Sequence, residues 1–215
     1  MENHTTQFSK TAFYSTQGSL NEKTKRLIVV FHGYGQLARH IIRKFENVPS
    51  SAYILAPEGL SRFYWNESKG IVGASWMTSL DRLDEIADYC KWINQLIDQV
   101  FQTLGRRIPI TFLGFSQGGA TAVRYVDQDH TFPVEHLILW GAGFPKDIDY
   151  RSNQPKFSEM DIKIVMGRQD PYIKQELLET HQQFTAEQGL QYEEIWFDGA
   201  HEIDRDILLN ILAGG

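Results

Sequence analysis

The sequence contains a single cysteine, Cys90, so no disulfide can close within the chain. It also lacks any basic block. Its 21 Lys and Arg stand against 27 Asp and Glu, a net charge of −6 that favours solubility and argues against nucleic acid or an anionic membrane as the main partner. No run approaches the roughly 18–20 apolar residues of a membrane span. The first residues, MENHTTQFSKTAFYS, lack the basic start and apolar stretch of a secretory leader. Together these absences lead to the expectation of a cytoplasmic protein. No cluster of His, Cys or acidic residues shows metal-ligand spacing, and no repeat, low-complexity tract or linker divides the chain. Its 215 residues are expected to form one domain, residues 1–215, long enough for a substantial core and too short for two.

What the chain does contain is a regular alternation. Short apolar runs recur at 26–33 (RLIVVFHG), 52–59 (AYILAPEG), 108–116 (IPITFLGFS), 136–143 (HLILWGAG), 161–167 (DIKIVMG) and 192–201 (YEEIWFDGAH). Most are rich in Ile, Val, Leu or aromatics and end in glycine, as buried strands do. FSKTAFYS, residues 8–15, would add an edge strand. The clearest helical pattern covers 79–104, where Leu80, Leu83, Ile86, Cys90, Ile93, Ile97, Val100 and Leu104 recur every three or four residues before Gly105. Cys90 on that face reads as a packed thiol rather than a nucleophile. Residues 36–46, 117–128, 171–188 and 204–212 read as further helices. Strands alternating with helices imply an α/β fold with a mainly parallel central sheet and helices on both faces. Ligands bind such sheets at the carboxyl ends of strands, which directs attention to Gly33–Gly35, Ser116, Gly141–Gly143, Asp170 and His201.

GFSQG, residues 114–118, matches G-x-S-x-G, the elbow that presents a nucleophilic serine between a strand and a helix. Glycines are needed there because the backbones crowd, and the following helix directs its N–H groups toward developing negative charge. A serine also needs a base, and the base an orienting carboxylate. His201, in FDGAHEI just past the last strand, suits the base. His130 and His136 flank a strand start at the opposite end of the sheet, and His181 is expected to face solvent from a helix. Asp170, just beyond the strand DIKIVMG, is the acid candidate, with Asp147 and Asp149 in reserve. DPYIKQELLE also reads as Asp170 capping a helix with Pro171 at its first position, and the two roles are compatible. The backbone N–H of Gln117 is one expected oxyanion donor. The N–H of Tyr34, in the loop HGYGQ, is the second, and His32 there supports the loop rather than binding metal.

FHGYG, APEG, ASWM, GFSQGG, GRQD and GAHEI, in this order, resemble the α/β-hydrolase superfamily. The likeness is greatest to the small carboxylesterase/phospholipase family that includes acyl-protein thioesterases, over roughly residues 26–212. The resemblance implies an α/β-hydrolase fold, a triad of Ser116, Asp170 and His201, and oxyanion donors at Tyr34 and Gln117. It also suggests that Trp76 lines the substrate site, simple core packing being the other reading of this residue. The chain departs from the family at Tyr34-Gly35-Gln36, where Leu followed by Gly-Asp is common, and at TSLDRLDE after SWM. An aromatic residue at the mouth would narrow or reshape the acyl groove. The expected activity is cleavage of carboxylic esters by a serine hydrolase, through an acyl-enzyme and without a cofactor. A small acyl ester or thioester is the expected substrate. Acyl thioesterase and lysophospholipase share this machinery and differ in pocket shape. A hydrolase-like binding module without catalysis is the reading from another class, and the intact Ser, Asp and His argue against it.

Overall fold

The computed structural model describes residue 2, residues 4–128 and residues 132–214. The expected apolar runs form strands of one sheet: β2 (Arg26–Phe31), β3 (Ala52–Pro57), β6 (Ile110–Phe115), β7 (Val134–Trp140), β8 (Asp161–Gly167) and β9 (Glu193–Phe197). The edge strand β1 covers Tyr14–Gln17 rather than 8–15. The sheet runs β1-β3-β2-β6-β7-β8-β9, with β1 antiparallel to β3 and every other pair parallel. All of β6 and five of the six residues of β2 are buried, which is why they read as continuous apolar runs rather than as alternating ones.

Side chains divide between the two faces of the sheet with the period of two that a strand imposes. Leu27, Val29 and Phe31 join one core layer, with Ile93 and Ile97 of α2 (Arg82–Leu104) and Ala122 and Val123 of α3 (Gln117–Asp127). Ile28 and Val30 join the other, with Ala38 and Ile41 of α1 (Ala38–Ile41) and Leu208 and Leu212 of α6 (Arg205–Ala213). The helix expected over 36–46 is split into α1 and a 3₁₀ turn at Ile42–Phe45. Cys90 is buried on α2, where desolvation pushes its thiol up to about 12. Leu80 and Leu83, assigned to that buried face by their spacing, are 74% and 73% exposed, because they lie where α2 begins. Among the described residues no helix is long and apolar enough to cross a membrane.

Two elements were not anticipated. A separate hairpin joins β4 (Ser61–Asn66) to antiparallel β5 (Ile71–Ser75), and α4 (Gln154–Ser158) interrupts the connection between β7 and β8. α5 (Gln175–Gln188) begins four residues later than the pattern indicated.

β2 lies between β3 and β6, so the chain leaves β2 toward one side of the sheet and later builds the other side from β6. A crevice opens at the carboxyl ends of two strands whose connections diverge in this way. α3 then descends very close to β2. A Cβ on Gly118 would come within 2.1 Å of the Phe31 carbonyl oxygen, and one on Gly114 within 2.3 Å of the Gly118 oxygen. Gly118→Ala is therefore expected to destabilise the fold by about 3 kcal/mol or more through forced separation of packed backbone. Gly70 sits in the hairpin turn with φ +63° and open space around it. Gly70→Ala should cost only the left-handed backbone penalty, about 1 kcal/mol. Urea unfolding of the two variants measures the contrast.

Candidate active site

Ser116 stands at the end of β6 with φ 53° and ψ −118°, a conformation that costs an L-residue of order 1–3 kcal/mol and persists only where the surroundings dictate it. Those surroundings are specific. Its N–H donates to the Trp140 carbonyl of β7 at 2.9 Å, and its own carbonyl accepts from the Gly119 N–H at 2.9 Å. Gly114 and Gly118 let strand, turn and helix pack at backbone distance.

The loop after β9 brings His201 to this point. Its ring lies 4.8 Å from Phe115, the residue preceding Ser116, and 4.8 Å edge-on from Tyr172. A Cβ on Gly141, at the end of β7, would stand 3.0–3.1 Å from the imidazole. The Glu202 carbonyl accepts the Trp140 indole N–H at 2.7 Å, and Gly199 O accepts the Gln169 N–H at 2.9 Å. The loop is thus anchored on both sides of the ring. His201 Nδ1 donates to Asp170 Oδ2 at 2.6 Å, and because a carboxylate only accepts, this bond fixes a proton on Nδ1.

Asp170 has a buried carboxylate whose second oxygen accepts the Tyr172 N–H at 2.9 Å. It does not cap α5, as its place before Pro171 suggested. Lys174 precedes that helix, and Asp170 instead heads a tight turn in which the Ile173 N–H reaches its carbonyl. The reserve carboxylates are engaged elsewhere. Asp147 pairs with Arg124 at 2.8 Å and Arg82 at 3.4 Å, and Asp149 accepts the Ser152 hydroxyl at 2.6 Å. His136 sits at the amino end of the sheet beside Asp161, and His130 lies outside the described residues. His181 does not face solvent. It is half-buried, stacks on Phe144, and its Nε2 accepts the Phe144 N–H at 2.9 Å, holding the segment that follows β7.

The loop after β2 is closed by its own groups. Gly33 N–H donates to Gln36 Oε1 at 3.0 Å, Gly35 N–H to the Ala74 carbonyl of β5 at 2.9 Å, and Gln36 N–H to Gly33 O at 3.1 Å. Within this run the Tyr34 N–H is left without a protein acceptor among the described residues. Gln117 opens α3, so its N–H has no acceptor within the helix. β2 and β6 are adjacent, with Phe31 paired to Gly114, and the two free amides therefore stand at neighbouring strand ends.

Beneath the loop is a second set of side chains. His32 is fully buried, and Nε2 accepts the Gly59 N–H at 2.9 Å while Nδ1 donates to Gly33 O at 2.8 Å. Trp76 is 1% exposed. Its indole N–H donates to the His32 carbonyl at 2.8 Å and its ring lies 4.9 Å from the imidazole. Trp76 thus supports the loop from below. The Gln117 side chain accepts the Trp76 N–H at 3.2 Å and donates to Met77 O at 3.0 Å, tying the elbow to the end of β5. The roles of Phe115, Gln36 and the Gln117 side chain were not visible in the sequence, because they depend on contacts across elements and have no motif signal. Among the described residues no group of three or more His, Cys, Asp and Glu is placed to hold a metal.

Burial pushes the His32 pKa down from 6.5 to about 4. Between these values the unfolded chain binds a proton that the folded chain does not, so stability rises with pH in this window. The contribution is complete above pH 6.5 and is lost as pH falls toward 4, on the order of 3 kcal/mol in all. In urea unfolding from pH 7 to pH 4, His32→Phe should show a shallower decline than the wild type. At pH 7 it should be less stable by about 1–3 kcal/mol, because the Gly59 N–H loses its acceptor.

The model of the phospholipase/carboxylesterase family matches residues 18–213. No curated protein matches the chain. Among solved structures, Zea mays acyl-protein thioesterase 2 superposes with a TM-score of 0.71 at 14% identity, covering 95% of this chain and 99% of that one. A carboxylesterase from Mesorhizobium loti superposes with a TM-score of 0.69 at 18% identity, covering 95% of each chain. The Bacillus cereus carboxylesterase gives 0.64 at 14% identity, covering 94% of this chain and 92% of that one. At these identities the likeness is one of fold.

Proposed function

This chain belongs to the phospholipase/carboxylesterase family, and we propose that it is a serine hydrolase cleaving carboxylic esters through an acyl-enzyme on Ser116. The observation that carries this reading is the 2.6 Å bond between His201 and Asp170 beside a serine held at φ 53°. In the proposed cycle Ser116 Oγ attacks the ester carbonyl carbon as His201 Nε2 takes its proton. The carbonyl oxygen becomes an anion held by the N–H groups of Tyr34 and Gln117. Collapse of this intermediate breaks the bond to the alkoxy group, which leaves as the alcohol with the proton from His201. Water then attacks the acyl-enzyme, gives a proton to Nε2, and releases the acid and the free serine.

Asp170 holds the imidazole in the tautomer this cycle needs, and Trp76 and His32 keep the oxyanion loop in place. No group beyond these side chains and water enters the cycle. An acyl thioester presents the same carbonyl to the same groups, so paired esters and thioesters belong in one substrate panel.

Ser116→Ala should lower turnover of an activated ester by roughly 10⁴-fold or more. Mass spectrometry should locate a fluorophosphonate adduct on Ser116 of the wild type. A folded Ser116→Ala variant with near-normal turnover, or an adduct on another serine, would sink the assignment.

Asp170→Asn separates orientation from structure. The amide oxygen can still accept the Tyr172 N–H, so the thermal midpoint should stay close to wild type. Its NH₂ then faces Nδ1 and favours the tautomer protonated on Nε2, which cannot accept the serine proton. A loss of roughly 10⁴-fold in kcat is expected on this account, and full activity would refute it.

A further inference from the structure

Aromatic rings gather on two of the loops that form the candidate site. On the side of the oxyanion loop, Tyr34 stacks on Phe63 of β4 with centroids 5.1 Å apart and planes inclined by 26°. Trp65 meets Tyr34 edge-on at 5.7 Å. The same indole covers Gly35 so closely that a Cβ there would come within 2.5 Å of it. On the side of the base, Tyr172 stands edge-on to His201 at 4.8 Å. These rings are fixed by their contacts, yet they are not covered. Tyr34 is 52% exposed, Trp65 58% and Tyr172 71%.

Packing the hairpin against the loop does not account for that exposure. Gly35 and Gln36 already bond β5 through Ala74, at 2.9 and 3.2 Å. A contiguous group of half-open rings beside a reactive serine is the pattern of a surface that takes an apolar ligand. Its position narrows what that ligand is. The Tyr34 N–H would lie about 3 Å from the oxyanion, and the ring extends from the same residue. A substituent two or three bonds from the ester carbonyl is therefore within the reach of one residue's side chain from that ring. An aliphatic group there gains only contact area, whereas a planar ring also gains the offset-stacked and edge-to-face geometries that aromatic pairs prefer.

We propose that Tyr34, held by Phe63 and Trp65, is the specificity-determining residue of this site, selecting esters with an aromatic ring two or three bonds from the carbonyl. The proposal rests on the ester hydrolysis inferred above. The ring can belong to the alcohol or to the acid, and paired substrates distinguish the two. Benzyl acetate against cyclohexylmethyl acetate places the ring on the leaving group. Methyl phenylacetate against methyl cyclohexylacetate places it on the acyl group. Each kcat/KM is divided by the rate of the same ester with hydroxide, which removes intrinsic reactivity.

The wild type should favour the aromatic member of at least one pair by about five- to tenfold. Tyr34→Leu keeps the backbone amide and removes the ring, so the ratio should fall to about one whatever happens to the absolute rate. Phe63→Leu frees the Tyr34 ring and should lower the ratio in the same pair. Ratios near one for both pairs in a wild type that a fluorophosphonate labels at Ser116 would overturn this proposal and leave the hydrolase reading intact. An undiminished ratio in Tyr34→Leu would do the same. If Ser116 neither labels nor turns over any of the four esters, the hydrolase reading fails and this one falls with it.

Discussion

At the first turn of α3 the backbone of Gly118 rests against the Phe31 carbonyl, where a single added carbon would approach to 2.1 Å. That contact sets the distance between the ends of β2 and β6, and with it the position of everything at the carboxyl edge of the sheet. It brings the start of α3 beside the loop that follows β2, so the amides of Gln117 and Tyr34 stand at neighbouring strand ends. It also forces Ser116 into a backbone region that an isolated L-residue avoids. The strain is local, and the neighbours that impose it are spread over β2, β6 and β7.

Preorganisation of this kind needs support that does not itself move. Here the support is polar and buried. His32 uses both ring nitrogens, one on Gly33 and one on Gly59, and desolvation keeps the ring neutral through the ordinary working range of pH. Its carbonyl is held by Trp76, and the backbone of Trp76 is held by Gln117. A connected set of hydrogen bonds thus runs from the loop after β2 past the end of β5 to the elbow. Such a set is favourable because each buried donor in it has an acceptor, and losing one partner would leave the other desolvated and unpaired.

The hairpin formed by β4 and β5 serves both structure and surface. Its inner side bonds the loop through Ala74, while its outer side carries Phe63 and Trp65 against Tyr34. In the reaction proposed above, Tyr34 joins two roles in one residue, its main chain binding the oxyanion and its side chain meeting the substituent. Tyr172 repeats the arrangement on the other flank, its N–H on the Asp170 carboxylate and its ring on His201.

The sequence by itself determined the strands of the main sheet and the long helix α2, because burial on both faces or on one stripe writes a direct hydrophobic pattern. It also singled out Ser116, Asp170 and His201, since each follows a strand end that is legible as such, and the fold brings Asp170 and His201 within 2.6 Å of each other. Only the tertiary structure decided what the same patterns leave open. Leu80 and Leu83 fit the spacing of a buried face yet lie at the exposed start of α2, because periodicity reports a face and not where its covering ends. Asp170 precedes Pro171 as a helix cap would, but the imidazole 31 residues away uses the carboxylate. His181 lies in a helix of weak amphipathic pattern and still turns inward to the Phe144 N–H. The hairpin has strands too short and too mixed in polarity to stand out, and the packing of Phe63 and Trp65 against Tyr34 joins residues about thirty positions apart. Contacts between distant segments are set by how the layers pack, and a local pattern of residues holds no record of them.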